Sequence, residues 1–134
     1  MKFLPFAALL LLASSPVHAD SGYTRSPSLH GSTLVFTAEG DLWRVASSGG
    51  TAQRLTSNAA LESQASISPD GREVAFVASY DASPEVYVMP LAGGAPKRLS
   101  FDGARVGVQG WTPAGEVLFM TSAVVGPTSS MILR

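Results

Sequence analysis

The chain contains no cysteine. That excludes a disulfide framework and thiolate metal sites, so whatever holds the fold together is burial rather than covalent stapling. Charge of one sign is also missing. Leaving out Lys2, eight basic residues stand against ten acidic ones, a net charge of −2, which gives nucleic acid or an anionic membrane surface no electrostatic reason to bind. Long hydrophobic runs are scarce as well: the one present, Phe3 to Ala13 with its "ALLLLA" core, falls short of the roughly 20 apolar residues needed to span a bilayer. Helical windows are lacking beyond it, because Pro, Gly and β-branched residues interrupt every candidate.

The short apolar run has a role of its own. Lys2 supplies a positive n-region, and Val17-His18-Ala19 is a small-residue cleavage site, so residues 1–19 read as a signal peptide cut after Ala19. The mature chain then starts near Asp20, in a periplasmic or secreted setting, with no membrane span left.

What the mature chain does contain is a block that occurs twice. "LVF…LWRV…GGTAQRLTS" at Leu34 to Ser57 returns as "VAF…VYVM…GGAPKRLSF" at Val74 to Phe101, and its opening returns again as "GWTPAGEVLF" at Gly110 to Phe119. Phe36 and Phe76 lie 40 residues apart, and the Gly49 and Gly93 pairs 44 apart. A period of this length, rich in short strands and glycine turns, is that of a propeller blade, a unit that cannot bury its own faces alone.

The fold class expected is therefore all-β: a partial β-propeller with blade 1 at about 25–57, blade 2 at about 64–101 and a partial blade 3 at about 106–134. Strands are expected at Arg25–Leu29, Thr33–Ala38, Leu42–Ala46 and Ala52–Thr56, then Gln64–Ser68, Glu73–Ser79, Glu85–Met89 and Pro96–Ser100, with a last one beginning at Ser130. Ser68-Pro69-Asp70-Gly71 and Thr112-Pro113-Ala114-Gly115 carry the chemistry of a type I turn closed by glycine. "EVAFVAS" is apolar on both sides, as a strand sandwiched between neighbouring sheets would be. Closed propellers use about four to eight blades, and this chain reads as cut off inside its third. A terminal face leaving about five large apolar side chains bare forfeits about 1.5–3 kcal/mol each, comparable to the whole stability of a domain. Self-association of the isolated segment is therefore expected.

With those motifs in hand, the chain resembles the N-terminal start of tricorn-type proteases. The resemblance runs from "GYTRSPSLHGSTLVFTAEGDLWRV" through "GGTAQRLTS" and "SPDGREVAFVASYDASPEVYVMPLAGGAPKRLS" to "GWTPAGEVLF". The blade pattern is shared with TolB-like periplasmic propellers. The resemblance implies a propeller segment of a secreted serine peptidase that guides peptide substrates, with the catalytic serine and histidine lying in a downstream core. The other readings are a TolB-like protein-binding propeller and a truncated remnant without function.

No catalytic, cofactor-binding or metal-holding residue is expected in the chain, and no cofactor. His18 leaves with the signal peptide, and His30 reads as a solvent-facing turn residue. Asp41, Asp70 and Asp81 read as turn formers, while Arg54, Lys97 and Arg98 read as charge guarding an outer sheet edge. Trp43, Tyr87 and Trp111 read as core. If a surface is functional, it is the channel along the innermost strands, with Ser26, Ser28, Gln64, Ser66 and Gln109 as lining. The partners expected there are peptides or unfolded protein segments, or the missing blades of a parent propeller.

Overall fold

The computed structural model describes residues 23–101, 103–123 and 130–133. The signal peptide expected at 1–19 lies outside them. Eleven strands form three separate antiparallel sheets, and the described residues contain no helix. The first sheet runs in the order β1 (Arg25–His30), β2 (Thr33–Ala38), β3 (Asp41–Ala46) and β4 (Gln53–Arg54). The second repeats it with β5 (Glu62–Ile67), β6 (Glu73–Asp81), β7 (Ser83–Pro90) and β8 (Lys97–Arg98). The third comprises β9 (Val106–Trp111), β10 (Val117–Thr121) and β11 (Ser130–Leu133).

Each sheet is a meander because its turns are built for tight reversal. Gly71 takes φ +72° and donates its N–H to Ser68 O at 2.9 Å, while Ser68 N–H bonds to Glu73 O at 2.9 Å. Thr112 to Gly115 repeats this with Gly115 at φ +84° and a 3.0 Å bond to Thr112 O. Glycine at those positions avoids the clash a Cβ meets in the left-handed region.

The sheets stack face to face, and the middle one is buried on both sides. Val74, Phe76 and Ala78 of β6 pack with Tyr87 and Met89 onto Val35 and Leu42 of the first sheet. Their alternates Ala75 and Val77, with Val86, pack onto Val106, Val117 and Phe119 of the third. Two-sided burial accounts for the loss of polar alternation in "EVAFVAS". Strands β1, β5 and β9, the inner edges of the three sheets, lie side by side, so the sheets fan out from them as the blades of a partial propeller.

The outer strands are shorter than expected, two residues each at β4 and β8. Their charge also has another purpose. Arg54 and Arg98 turn inward onto the buried acids Asp41 and Glu85, and Asp41, 1% exposed, is part of the interior rather than a turn former. His30 is likewise no free loop residue. Its ring lies over Gly71, where a Cβ would sit 2.7 Å from the imidazole, so the glycine makes room for one sheet's turn to rest on the next.

Candidate functional site

All five residues expected to line a channel lie on the three inner strands. Each of these strands carries one residue too many for its neighbour, a β-bulge at a corresponding place. The register slips between Arg25 and Ser28 in β1, between Ser63 and Ser66 in β5, and opposite Leu118 and Phe119 in β9. At the first two slips a non-glycine residue is forced left-handed, Ser26 at φ +49° and Gln64 at φ +54°. In β9 the unpaired residue is Gln109, since Val108 and Gly110 hold the flanking pairs. Bulges re-aim side chains and cluster at sheet edges and sites.

The five side chains divide between packing and exposure. Ser28 Oγ accepts the Ile67 N–H at 3.0 Å and so ties β1 to β5 across the sheet boundary. Ser66 makes a parallel tie through its carbonyl, which takes the Trp111 indole N–H at 2.9 Å. Ser26 is half-buried, whereas Gln64 and Gln109 are exposed. The Gln64 carboxamide rests above Gly107 of β9, with Oε1 3.0 Å from where a Cβ would stand. Beyond the side chains, the inner edges of β1, β5 and β9 have no strand paired to them among the described residues. They present backbone N–H and C=O groups of the kind an extended chain can pair with.

Two clefts open at the ends of the first sheet boundary. One, of about 740 Å³, lies between Arg44 and Gln53 on one side and Arg72 and Leu91 on the other. Arg44 bridges it, donating to Leu91 O at 2.8 Å and to Gln53 Oε1 at 2.9 Å. The other, of about 420 Å³, is lined by Tyr23, Arg25, Glu39, Leu61 and Glu62. The Arg25 guanidinium stands 4.3 Å from the Tyr23 ring centre there.

Sequence reasoning missed the most constrained polar groups in the molecule. Asp41 pairs with Arg54, and its second oxygen accepts Asn58 N–H at 3.2 Å, while Thr56 Oγ accepts Leu42 N–H at 2.9 Å. The same set recurs one sheet later. Glu85 pairs with Arg98 at 2.8 Å and accepts Gly103 N–H at 2.9 Å, while Ser100 Oγ accepts Val86 N–H at 2.9 Å and its hydroxyl donates back to Glu85. The signal was available: acid to arginine is 13 residues in both repeats, and acid to hydroxyl is 15.

Glu62 has no counterpart in that pattern. Only 2% exposed, it reaches back from β5 to the first sheet, accepting Leu42 N–H at 3.2 Å together with the hydroxyls of Thr56 and Tyr80. Burial pushes its carboxyl above the usual range, against the pull of those three donors, and the nearby Asp41 adds to the rise. Glu85 goes the other way. Burial would raise it too, but the hydrogen bonds from Ser100, Gly103 and Arg98 outweigh that and hold it below the ordinary value. Arg98 adds a cation beside Glu85 to the bonds from Ser100 and Gly103, whereas the groups that bond to Glu62, Leu42 N–H and the hydroxyls of Thr56 and Tyr80, are uncharged.

The arrangement braces the sheets, and among the described residues no group of three or more His, Cys, Asp or Glu side chains gathers where a metal ion would sit. Residues 21–133 match the family described as the tricorn protease N-terminal beta propeller domain. The chain is 41% identical over 105 residues to tricorn protease homolog 1 of Streptomyces coelicolor, a match covering 78% of this chain and 10% of that protein. It is also 32% identical over 80 residues to a TolB homolog of Chlorobium luteolum, covering 60% of this chain and 18% of that one. Among solved structures, the tricorn protease superposes with a TM-score of 0.69 at 24% identity, over 78% of this chain and 11% of that one. TolB from Acinetobacter baumannii does so at 0.71 and 23% identity, over 84% and 32%. The chain thus spans about a tenth of the length of the curated tricorn relatives it matches.

Proposed function

The chain belongs to the family of tricorn protease N-terminal β-propeller domains, and from that premise we propose that it is the propeller segment of an exported tricorn-like peptidase that receives and guides extended peptide segments. It contributes contacts along the β1, β5 and β9 edges and none of the reacting groups. Export is read from Lys2, the apolar run to Ala13 and the Val17-His18-Ala19 site.

The observation that carries this reading is the convergence of three bulged inner strand edges, unpaired among the described residues and bearing the exposed amides of Gln64 and Gln109. An extended peptide gains affinity from main-chain hydrogen bonds to such an edge and specificity from the side chains beside it. The test is fluorescence anisotropy of a labelled, unstructured peptide titrated with the chain. Binding that weakens several-fold when Gln64 and Gln109 are both replaced by alanine supports the reading, and binding indifferent to both replacements removes it.

A second reading has its own support in the superposition on TolB over 84% of the chain. On that reading the same edges dock a folded protein partner and no peptide passes. Retained binding of a folded partner with no affinity for unstructured peptides distinguishes it.

A further inference from the structure

The two arginines at the larger cleft depart from the repeat that explains the rest of the molecule. Arg44 stands opposite Gln53 across β3 and β4, and the place it holds is filled one sheet later by Val88, opposite Lys97 across β7 and β8. Arg72 follows the turn glycine Gly71, whereas the corresponding Gly115 is followed by Glu116. Building and stacking a sheet therefore needs neither guanidinium, since the second boundary is made without them.

One residue holds the pair together. Leu91 N–H donates to Arg72 O at 2.7 Å, and Leu91 O accepts an N–H of the Arg44 guanidinium at 2.8 Å. An arginine of β3 and the arginine of the β5–β6 turn are thus set beside each other across the boundary between the first and second sheets. Both keep donors free. Of the five N–H groups of a guanidinium, Arg44 uses three, one on Leu91 O and two on Gln53 Oε1. The Arg72 side chain is 85% exposed and meets Asp70 only at 3.9 Å. The other oxygen of Asp70 is taken by the Ser68 hydroxyl at 2.6 Å and the Arg72 amide at 3.0 Å. Among the described residues no Asp or Glu lines the cleft.

We propose that this cleft docks an acidic, extended segment of a partner protein, with one Asp or Glu side chain of that segment held between Arg44 and Arg72. Guanidinium forks match a carboxylate and hold it with charge-assisted hydrogen bonds. A lone carboxylate fills a small part of about 740 Å³. Val45 and Leu91 supply apolar wall for the side chains beside it, and Ser32, Thr33 and Thr51 offer hydroxyls to its backbone. With a net charge of −2 the protein as a whole does not draw anions, so recognition lies in these local contacts. None of the lining residues belongs to β1, β5 or β9, so the surface is separate from the inner strand edges. Both walls belong to sheets that already face each other, and the cleft does not depend on what lies beyond either end of the chain.

The test is fluorescence anisotropy of two short peptides carrying a neutral dye, one of alternating Glu and Ala and one of alternating Gln and Ala. Both are acetylated and amidated, so that side chains are their only charges. They are titrated with the protein recovered after expressing the whole 134-residue chain, as wild type, Arg72→Gln and Arg44→Gln. The Glu peptide is expected to bind about five-fold or more tighter than the Gln peptide and to lose that advantage in either variant, as the removal of charge-assisted hydrogen bonds requires. The advantage is also expected to shrink as salt is raised, because the contacts are exposed. Arg44→Gln breaks the tie to Leu91 as well, so if urea shows that variant to be unstable, Arg72→Gln decides, since its guanidinium makes only the 3.9 Å contact to Asp70. Glu and Gln peptides bound alike, or a Glu preference that Arg72→Gln leaves intact, overturns the inference. Free glutarate that displaces the Glu peptide at the peptide's own concentration shows a site for small anions and overturns the docking of a segment.

Discussion

Thr37 of β2 and Thr56, two residues past the end of β4, show what a hydroxyl is worth when it is satisfied and when it is not. Thr56 accepts from Leu42 N–H and donates to Glu62, so Thr56→Ala leaves that buried amide with only its longer bond to Glu62 and takes a donor from the buried carboxylate. The expected loss is about 1–3 kcal/mol. Thr37 is 7% exposed and its hydroxyl has no hydrogen-bond partner among the described residues. Thr37→Val keeps the shape and removes that unpaired group, so it is expected to be neutral or stabilising by about 1 kcal/mol. Urea midpoints of the two variants provide the check. Glu62 supplies a pH signature at the same scale. Its folded carboxyl titrates above the ordinary 4.5, so in the window between that value and the raised one the folded state holds the proton and the unfolded state has lost it. Stability therefore falls as pH rises through that window. Glu85, held below 4.5 by Ser100, Gly103 and Arg98, has the opposite sign, and its contribution is lost as pH falls through its folded value. Glu62→Gln is expected to flatten the decline on the alkaline side of 4.5 while leaving the acid-side loss in place. An unchanged slope in pH-dependent denaturation would contradict the assignment.

The bulges of the inner strands β1 and β5 put left-handed backbone at Ser26 and Gln64, residues that do not favour it. An L-residue in that region costs about 1–2 kcal/mol, and glycine escapes that cost while losing about 0.5–1 kcal/mol to unfolded-chain entropy. Gln64→Gly is thus expected to change stability by less than about 1 kcal/mol, whereas Gln64→Val, β-branched, is expected to destabilise by about 1–2 kcal/mol beyond the wild type. Equal effects of the two substitutions on the denaturation midpoint would argue against a bulge at Gln64. These bulges were illegible in the sequence, since Ser26 and Gln64 carry none of the Gly or Asn marking of a positive φ. The strands themselves were legible because apolar runs and glycine turns recur on one period. The middle strand β6 was legible in its burial too, through its missing alternation. The acid–arginine–hydroxyl set was half-legible: Asp41 beside Gly40 looks like turn chemistry, and only its fixed 13-residue distance to Arg54, repeated from Glu85 to Arg98, betrays a pair. Glu62 gave no signal at all, because the corresponding place six residues before the next turn holds Val106, and a single deviation from a repeat looks like noise until the fold brings Thr56 and Tyr80 around it.

At the scale of the whole molecule no sheet is self-sufficient, and each is stabilised by the face of its neighbour. Straps such as Arg44 to Leu91 and Ser28 to Ile67 cross the first boundary, but net hydrogen bonds of about 1 kcal/mol each are small beside the burial of Phe76, Tyr87, Met89 and their neighbours at about 1.5–3 kcal/mol apiece. The boundary is therefore expected to fail as a unit when its largest fully buried side chain is removed. Phe76, 0% exposed, stacks on Tyr87 with ring centres 6.0 Å apart and belongs to the cluster shared with Val35 and Leu42 of the first sheet. Phe76→Ala should cost about 3–5 kcal/mol. The most direct measurement is native-state hydrogen exchange on the wild type and Phe76→Ala, followed amide by amide. The expected result is that β2 and β3 of the first sheet lose protection together with β6, although none of their residues has changed. Loss confined to β6 and its strand partners, with the first sheet as protected as before, would show that the sheets stand independently and would contradict the account.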